Sequence, residues 1–190
     1  SSDNSQATLE DIAKTNNNIK VLNNKKNKGQ SFSIFTGVQE ASFDIIVTID
    51  GDGQNNPKDI SSLVELYLSE KQISLVGGLR TKRKDSLIKI FSSKIANYIR
   101  AKILNDDCTD TGCSLKVFEK TVFLNFPYFD GMHRFLPALF KGYGCNTKFI
   151  EVDHRHRKHG ISKYGTLDRL YKGIFDMIRV KKILNNINKQ

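Results

Sequence analysis

Apolar positions fall into two kinds of run along this chain. Short blocks rich in β-branched residues, Asp44–Ile49 and Ile73–Val76, read as buried strands. Ser114–Phe118, Lys148–Val152 and a short stretch at Ile19–Leu22 fit the same description less strictly. Between them lie segments of helical period: Gln6–Lys14, Phe32–Ala41, Pro57–Ser69, Ser86–Leu104, His133–Phe140 and Leu167–Ile187. Pro57 suits the first turn of its helix, where no amide donor is needed. Lys25–Gly29, Gly51–Asn56, Gly77–Asp85 and Gly160–Gly165 read as loops. Short strands alternating with helices predict an α/β domain with a mostly parallel sheet flanked by helices. Ligands of such sheets bind at the carboxyl ends of the strands. The loops after 44–49, 73–76 and 148–152 are therefore the places to look.

The 190 residues make one ordinary domain, and the 38% hydrophobic and 26% charged content is that of a globular chain. No apolar run approaches the roughly 20 residues that a spanning helix needs. No signal peptide is visible at the start. The net charge of +10 calls for an anionic partner: nucleic acid, an acidic membrane surface or a phosphorylated ligand. The excess is concentrated, since residues 154–190 hold ten Lys and Arg against two Asp. Three cysteines, Cys108, Cys113 and Cys145, are too few and too unevenly spaced for a disulfide framework, which fits a reducing compartment.

Four segments carry candidate chemistry. In Val47–Gln54, Asp50 and Asp52 leave a buried strand one residue apart, between glycines that permit a sharp turn. Two carboxylates and the Gln54 amide oxygen suit a hard divalent cation, Mg²⁺ or Mn²⁺, that keeps positions open for substrate phosphates. A solvated Asp-Gly turn is the plainer alternative. In Gly77–Asp85, Arg80 and Arg83 offer fork-like donors to a diphosphate, against the alternative of an exposed basic loop. In Asp106–Cys113, the Cys-x4-Cys spacing lacks the second pair of a zinc site, so a polar loop presenting Asp110 is the better reading, with the thiols as packed small residues. In His154–Gly165, Arg and Lys interleave with the histidines and would repel a cation. An anion site built from Arg155, Arg157 and Lys163 fits better, against a solvated loop or a nucleic-acid patch short of stacking aromatics. Leu167, Leu170, Tyr171, Ile174, Phe175 and Ile178 form one apolar helical face. Arg169, Lys172, Arg179, Lys181 and Lys182 occupy other positions. That pattern serves equally a helix packed on the sheet and a helix lying on an anionic leaflet over 166–190.

In this order, Asp-Gly-Asp-Gly-Gln-Asn-Asn-Pro, Gly-Leu-Arg-x-x-Arg-x-Asp, Asp-Thr-Gly-Cys, His133–Pro137 and His-Arg-x-Arg-x-x-Gly-x-Ser-Lys-Tyr-Gly resemble the family 2 glycosyltransferases. The likeness is greatest to those that glycosylate polyprenyl phosphates, the dolichyl-phosphate mannose synthase type, and it covers nearly all of the chain. It implies a GT-A (Rossmann-like) fold and a metal-dependent, inverting transfer from a GDP- or UDP-linked sugar to a polyprenyl phosphate. Asp50, Asp52 and Gln54 would hold the metal. Asp3, Asp50, Asp52, Arg80 and Arg83 would bind the nucleotide sugar. Arg155, Arg157, Ser162 and Lys163 would bind the acceptor phosphate, and Asp52, Asp110 and Arg157 would carry the catalysis. An acceptor phosphate is already mostly dianionic at neutral pH, so Asp110 is assigned to positioning ahead of base catalysis. The setting implied is peripheral, on the cytoplasmic face of the membrane, without nucleic acid, and open to a homo-oligomer or a separate membrane subunit. Family members open with a strand ending in Pro-x-x-Asn-Glu and a second ending in Asp-Asp-x-Ser-x-Asp. Ser1-Ser2-Asp3 looks like the tail of the second, so residues 1–190 are read as one catalytic domain that lacks its first strand. A transfer to a sugar or protein hydroxyl, a basic nucleic-acid-binding domain and a non-catalytic fragment are the competing readings.

Overall fold

The computed structural model describes the fold of residues 4–80, 87–155 and 166–187. Helix α1 (Ser5–Thr15) has no buried residue, and α2 (Gly29–Glu40) leads into strand β1 (Ile45–Thr48). Next come α3 (Asp59–Ser69), β2 (Ile73–Arg80) and α4 (Leu87–Leu104). They are followed by β3 (Lys116–Glu119), α5 (Lys120–Leu124), a 3-10 turn at Met132–Arg134 and α6 (Leu136–Gly142). Strand β4 (Asn146–Val152) and α7 (Thr166–Ile187) complete the order.

The sheet order is β1-β3-β2-β4. β2 and β4 pair in parallel, while β3 lies antiparallel between β1 and β2. Three of the four strands thus share one direction, as the alternating pattern predicts. The reversed β3, which enters the sheet from the 105–115 loop after α4, makes the sheet mixed.

Successive residues of a strand point to opposite faces, and both faces here are covered. Leu75 and Phe118 join the larger core with Val38, Phe123, Leu139, Phe140, Val180 and Leu184, contributed by α2, α5, α6 and α7, and with Phe126 from the segment after α5. Val76 and Val117 join Leu63 of α3, Leu115 and Val152 on the other side. Phe118 stacks on Phe123 at 5.1 Å between ring centroids, and Phe126 meets Phe140 edge-on at 4.9 Å.

Three local expectations differ from the fold. Ile19–Leu22 is not a strand, and Ile19 and Leu22 are each 41% exposed. Gly77–Arg80 is not loop but the end of the central strand β2. A glycine pair reads as a break, yet here it serves close packing. A Cβ on Gly77 would sit 2.9 Å from Phe149, and one on Gly78 would sit 2.9 Å from Val152. The helix expected over His133–Phe140 divides into the 3-10 turn and α6, with Pro137 in the first turn of α6.

Helix α7 turns Val180 and Leu184 into the core, with Met177, Ile183 and Ile187 partly buried beside them. Asp176 pairs with Arg134 at 2.6 Å and anchors the helix to the body. Ile174, Phe175 and Ile178 lie on a different face and stay 46%, 66% and 48% exposed. The side chains of residues 166–171 lie outside the described set. Among the described residues, no helix is long and apolar enough to cross a membrane.

Candidate active site

The chain leaves β1 through Ile49 into the turn that presents Asp50 and Asp52. Gly53 takes a left-handed conformation (φ +73), which closes the turn and lets Asp52 Oδ1 accept from the Gln54 amide at 3.1 Å. Ser114, just before β3, ties this turn to the sheet. Its Oγ accepts from the Asp50 amide at 3.1 Å and from Asn55 Nδ2 at 2.7 Å, and its carbonyl accepts from Thr48 Oγ1 at 2.7 Å. Gln30, in the first turn of α2, donates to Asp50 Oδ1 at 2.9 Å.

The end of β4 is laced to the same turn. The Arg155 amide donates to the Gln54 carbonyl at 2.8 Å, and Gln54 Nε2 donates to the Arg155 carbonyl at 3.4 Å. Asn55 forms an antiparallel bridge with His154. The Arg155 guanidinium donates to Asn56 Oδ1 at 2.5 Å, and the Asp153 amide donates to Asp59 Oδ2 at 2.8 Å. Two segments about 100 residues apart in sequence therefore share one edge of one site.

Asp50, Asp52, Gln54, Asn55, Arg80, Gly112, Ser114 and His154 line a small polar pocket at the carboxyl ends of β1, β2 and β4. Arg80 is held there by Asp110. Nε donates to Oδ2 and a terminal nitrogen to Oδ1, each at 2.7 Å, and the Arg80 amide adds a third contact at 3.2 Å. The two side chains are only 15% and 11% exposed. A Cβ on Gly112 would lie 2.5 Å from the guanidinium, so the arginine needs glycine at that position. With Arg80 matched by Asp110, the carboxylates of Asp50 and Asp52 set the sign of the pocket and favour a cation. Two carboxylates and an amide oxygen, with further positions left to substrate phosphates, are a donor set that fits Mg²⁺ or Mn²⁺. Among the described residues, no group of three His, Cys, Asp or Glu could hold a metal ion.

The thiols of this region are inert by burial. Cys108 is pushed up to about 11, and Cys113 is likewise raised. His133, in the 3-10 turn, meets Ser31 Oγ at 2.6 Å, and the same oxygen accepts from the Gly131 amide at 2.8 Å. Its imidazole is pushed down to about 4, first by burial and then by the charges of Arg134 and Lys116.

The structure thus brings together Asp50, Asp52, Gln54, Arg80, Asp110 and Arg155. Asp3, Arg83, Arg157, Ser162 and Lys163 lie outside the described residues. Sequence reasoning passed over Gln30, Asn55, Ser114 and His154. Asn55 and His154 lie inside motifs already singled out, whereas Gln30 and Ser114 carry no local signal.

The model of the family described as "Glycosyl transferase family 2" matches residues 1–125. A dodecaprenyl-phosphate galacturonate synthase of Rhizobium johnstonii is 35% identical over 165 residues, which is 85% of this chain and 48% of that protein. An undecaprenyl-phosphate 4-deoxy-4-formamido-L-arabinose transferase of Pseudomonas savastanoi pv. phaseolicola is 33% identical over 153 residues, 80% of this chain and 44% of that protein. The chain spans about half the length of these curated relatives. Among solved structures, glucosyl-3-phosphoglycerate synthase from Mycobacterium tuberculosis, in complex with Mn²⁺, UDP and glucosyl-3-phosphoglycerate, superimposes with a TM-score of 0.61 at 15% identity. That match covers 95% of this chain and 64% of the other, and it shows a common fold.

Proposed function

The chain belongs to glycosyl transferase family 2, and from that premise we propose that it transfers a sugar from a nucleotide diphosphate to a polyprenyl phosphate at a membrane surface. One observation carries this reading. The Asp50–Gln54 turn is hydrogen-bonded to the Arg155 backbone at the start of the basic run, which supports a donor-diphosphate segment and an acceptor-phosphate segment lying side by side. The curated relatives named for transfer to dodecaprenyl or undecaprenyl phosphate support the acceptor class.

In this reading Asp50, Asp52 and Gln54 hold a divalent ion, as the solved neighbour with Mn²⁺ and UDP suggests. An ion held there would offset the charge that develops on the departing diphosphate. The bond from the anomeric carbon to the diphosphate breaks, and its electron pair leaves with the nucleotide. An acceptor phosphate oxygen forms the new bond from the opposite face, which inverts the centre. Arg155, with Arg157, Ser162 and Lys163, compensates and orients the acceptor dianion. Asp3 and Arg83 complete the donor site. Asp110 offers both oxygens to Arg80, which supports a positioning role over proton abstraction. Arg80 is then a fixed wall of the donor pocket, its fork already occupied on one side.

The exposed Ile174, Phe175 and Ile178, beside exposed Lys172, Arg179, Lys181 and Lys182, support contact of α7 with an anionic leaflet. Each basic residue near such a surface contributes about 1 kcal/mol. The cytoplasmic leaflet, which carries the anionic lipids, is the proposed side.

The test restores the full-length polypeptide to membranes with labelled nucleotide sugars and Mg²⁺ or Mn²⁺. Metal-dependent label in organic-extractable lipid, lost in Asp52→Ala and Arg157→Ala, is expected. Label confined to the aqueous fraction refutes the lipid-phosphate acceptor.

A further inference from the structure

The loop from Asn105 to Ser114 supplies three parts of the pocket: Asp110 on Arg80, Gly112 beneath the guanidinium, and Ser114 under Asp50. It turns through Asn105 and Asp107, both left-handed (φ 52 each), a conformation that Asn and Asp enter more readily than other side chains.

Two buried cations reach it from inside the fold. Arg100, on the inner face of α4 and 6% exposed, donates to the Cys108 carbonyl, to Thr111 Oγ1 and to Asn97 Oδ1 (2.9 Å). It pairs with Asp106, whose side chain is wholly buried, through Nε to Oδ2 at 3.0 Å and a terminal nitrogen to Oδ1 at 3.2 Å. Asp106 Oδ1 also accepts from the Cys108 amide at 3.2 Å. Lys116, on β3 and 4% exposed, donates to the Cys113 carbonyl. The two cations hold main-chain carbonyls on either side of Asp110. Each of these polar groups is costly to bury. Burial pushes the Lys116 ammonium down from its ordinary range, and the neighbouring Cys113, Cys108, Asp110 and Asp50 oppose that shift.

We propose that Arg100 and Lys116 are positioning residues for the pocket: they clamp the 105–114 loop from beneath, and through it set the Asp110 carboxylate that holds Arg80 in place. This inference deepens the reading of the site as a sugar-transfer centre and rests on it for the catalytic arm of its test. A lysine at 100 keeps the charge beside Asp106. It cannot reproduce the planar fork that reaches Asp106, Thr111 and the Cys108 carbonyl together.

The test is a double-mutant cycle in the full-length polypeptide. Arg100→Lys is expected to lower kcat/KM for sugar transfer by about tenfold, as loss of a supporting partner commonly does. In an Asp110→Asn background the same change should cost less than about twofold further, because its route to the pocket is already cut. Lys116→Met, which puts an apolar chain of similar length in a buried place, should show the same non-additivity. Equal losses in both backgrounds, or no loss in either, overturn the proposal. Hydrogen exchange gives a readout that does not depend on transfer activity. Arg100→Lys should speed exchange of amides 108–114 by about tenfold while those of α3 stay unchanged, since the opening is local. Unaltered protection of that loop overturns the clamp even if the preparation transfers no sugar. Loss of transfer activity in the parent, with the exchange result intact, counts against the sugar-transfer reading alone.

Discussion

Asp110→Asn separates the structural work of Asp110 from the chemistry around it. In the folded chain its two oxygens receive two guanidinium hydrogen bonds of 2.7 Å each and one backbone bond of 3.2 Å, at 11% side-chain exposure. Cutting a buried ion pair by neutralising one partner costs about 3–5 kcal/mol, because the other charge stays buried. Asparagine keeps the shape and one acceptor oxygen, and a hydrogen bond to a charged group is worth about 1.5–3 kcal/mol, so part of that loss is recovered. The remaining destabilisation is about 2–3 kcal/mol, which for a domain of this size lowers Tm by about 5–10 °C. Asp52→Asn is the control. That half-exposed carboxylate sits on a surface turn, where substitutions change stability by about 0.5 kcal/mol or less. Thermal melts followed by circular dichroism at neutral pH measure both. An Asp110→Asn melt within about 2 °C of the parent would refute the view that this pair is a buried, mutually dependent unit.

Asp50→Asn and Asp52→Asn should abolish Mn²⁺ or Mg²⁺ binding together with transfer, and leave the melt nearly unchanged; calorimetric titration of Mn²⁺ in the presence of UDP reads the metal directly. His133 is neutral in the fold, with its titration pushed down to about 4 from 6.5 by burial. The unfolded chain therefore takes up a proton that the folded chain refuses between these values. Stability is complete above about pH 6.5 and declines by about 3 kcal/mol as pH falls to about 4, at 1.36 kcal/mol per pH unit. Urea unfolding at pH 7 and pH 4.5 measures this, and an equally steep decline in His133→Asn would remove the imidazole as its source. Iodoacetamide on the native chain should label Cys145, which is half-buried, and spare Cys108 and Cys113, which are 1% exposed with raised titration. Peptide mass spectrometry showing Cys108 modified at the rate of Cys145 would contradict that burial.

Much of the framework was legible because it rests on local periodicity. The β-branched block at 45–48 and the helical period over 59–69 announce themselves within a few residues. The placement of Asp50, Asp52 and Gln54 on a turn at a strand end was equally legible, since it follows from the β-branched block and the glycines beside it. The Gly77-Gly78 pair misled because its purpose is a close approach to Phe149 and Val152 on the neighbouring strand, which no local window contains. Asp110 could be singled out as a loop carboxylate, but its partner Arg80 lies 30 residues away and reaches it only across the sheet. Gln30, Ser114 and Arg100 gave no signal. A glutamine, a serine and an arginine in these settings are ordinary until the fold shows what they touch.

The amino-acid sequence alone determined the alternation of strands and helices, the strand-end carboxylates, and the concentration of positive charge after residue 153. All of these depend on residue type and short spacing. Only the tertiary structure decided that β3 runs against its neighbours and that Arg80 is matched by Asp110. It also decided that the Asp50–Gln54 turn is joined to Arg155. Each of these is a contact between segments 30 to 100 residues apart, set by how the sheet orders its strands. The same packing divides α7 into a buried face at Val180 and Leu184 and an exposed one at Phe175, a choice that helical period by itself leaves open.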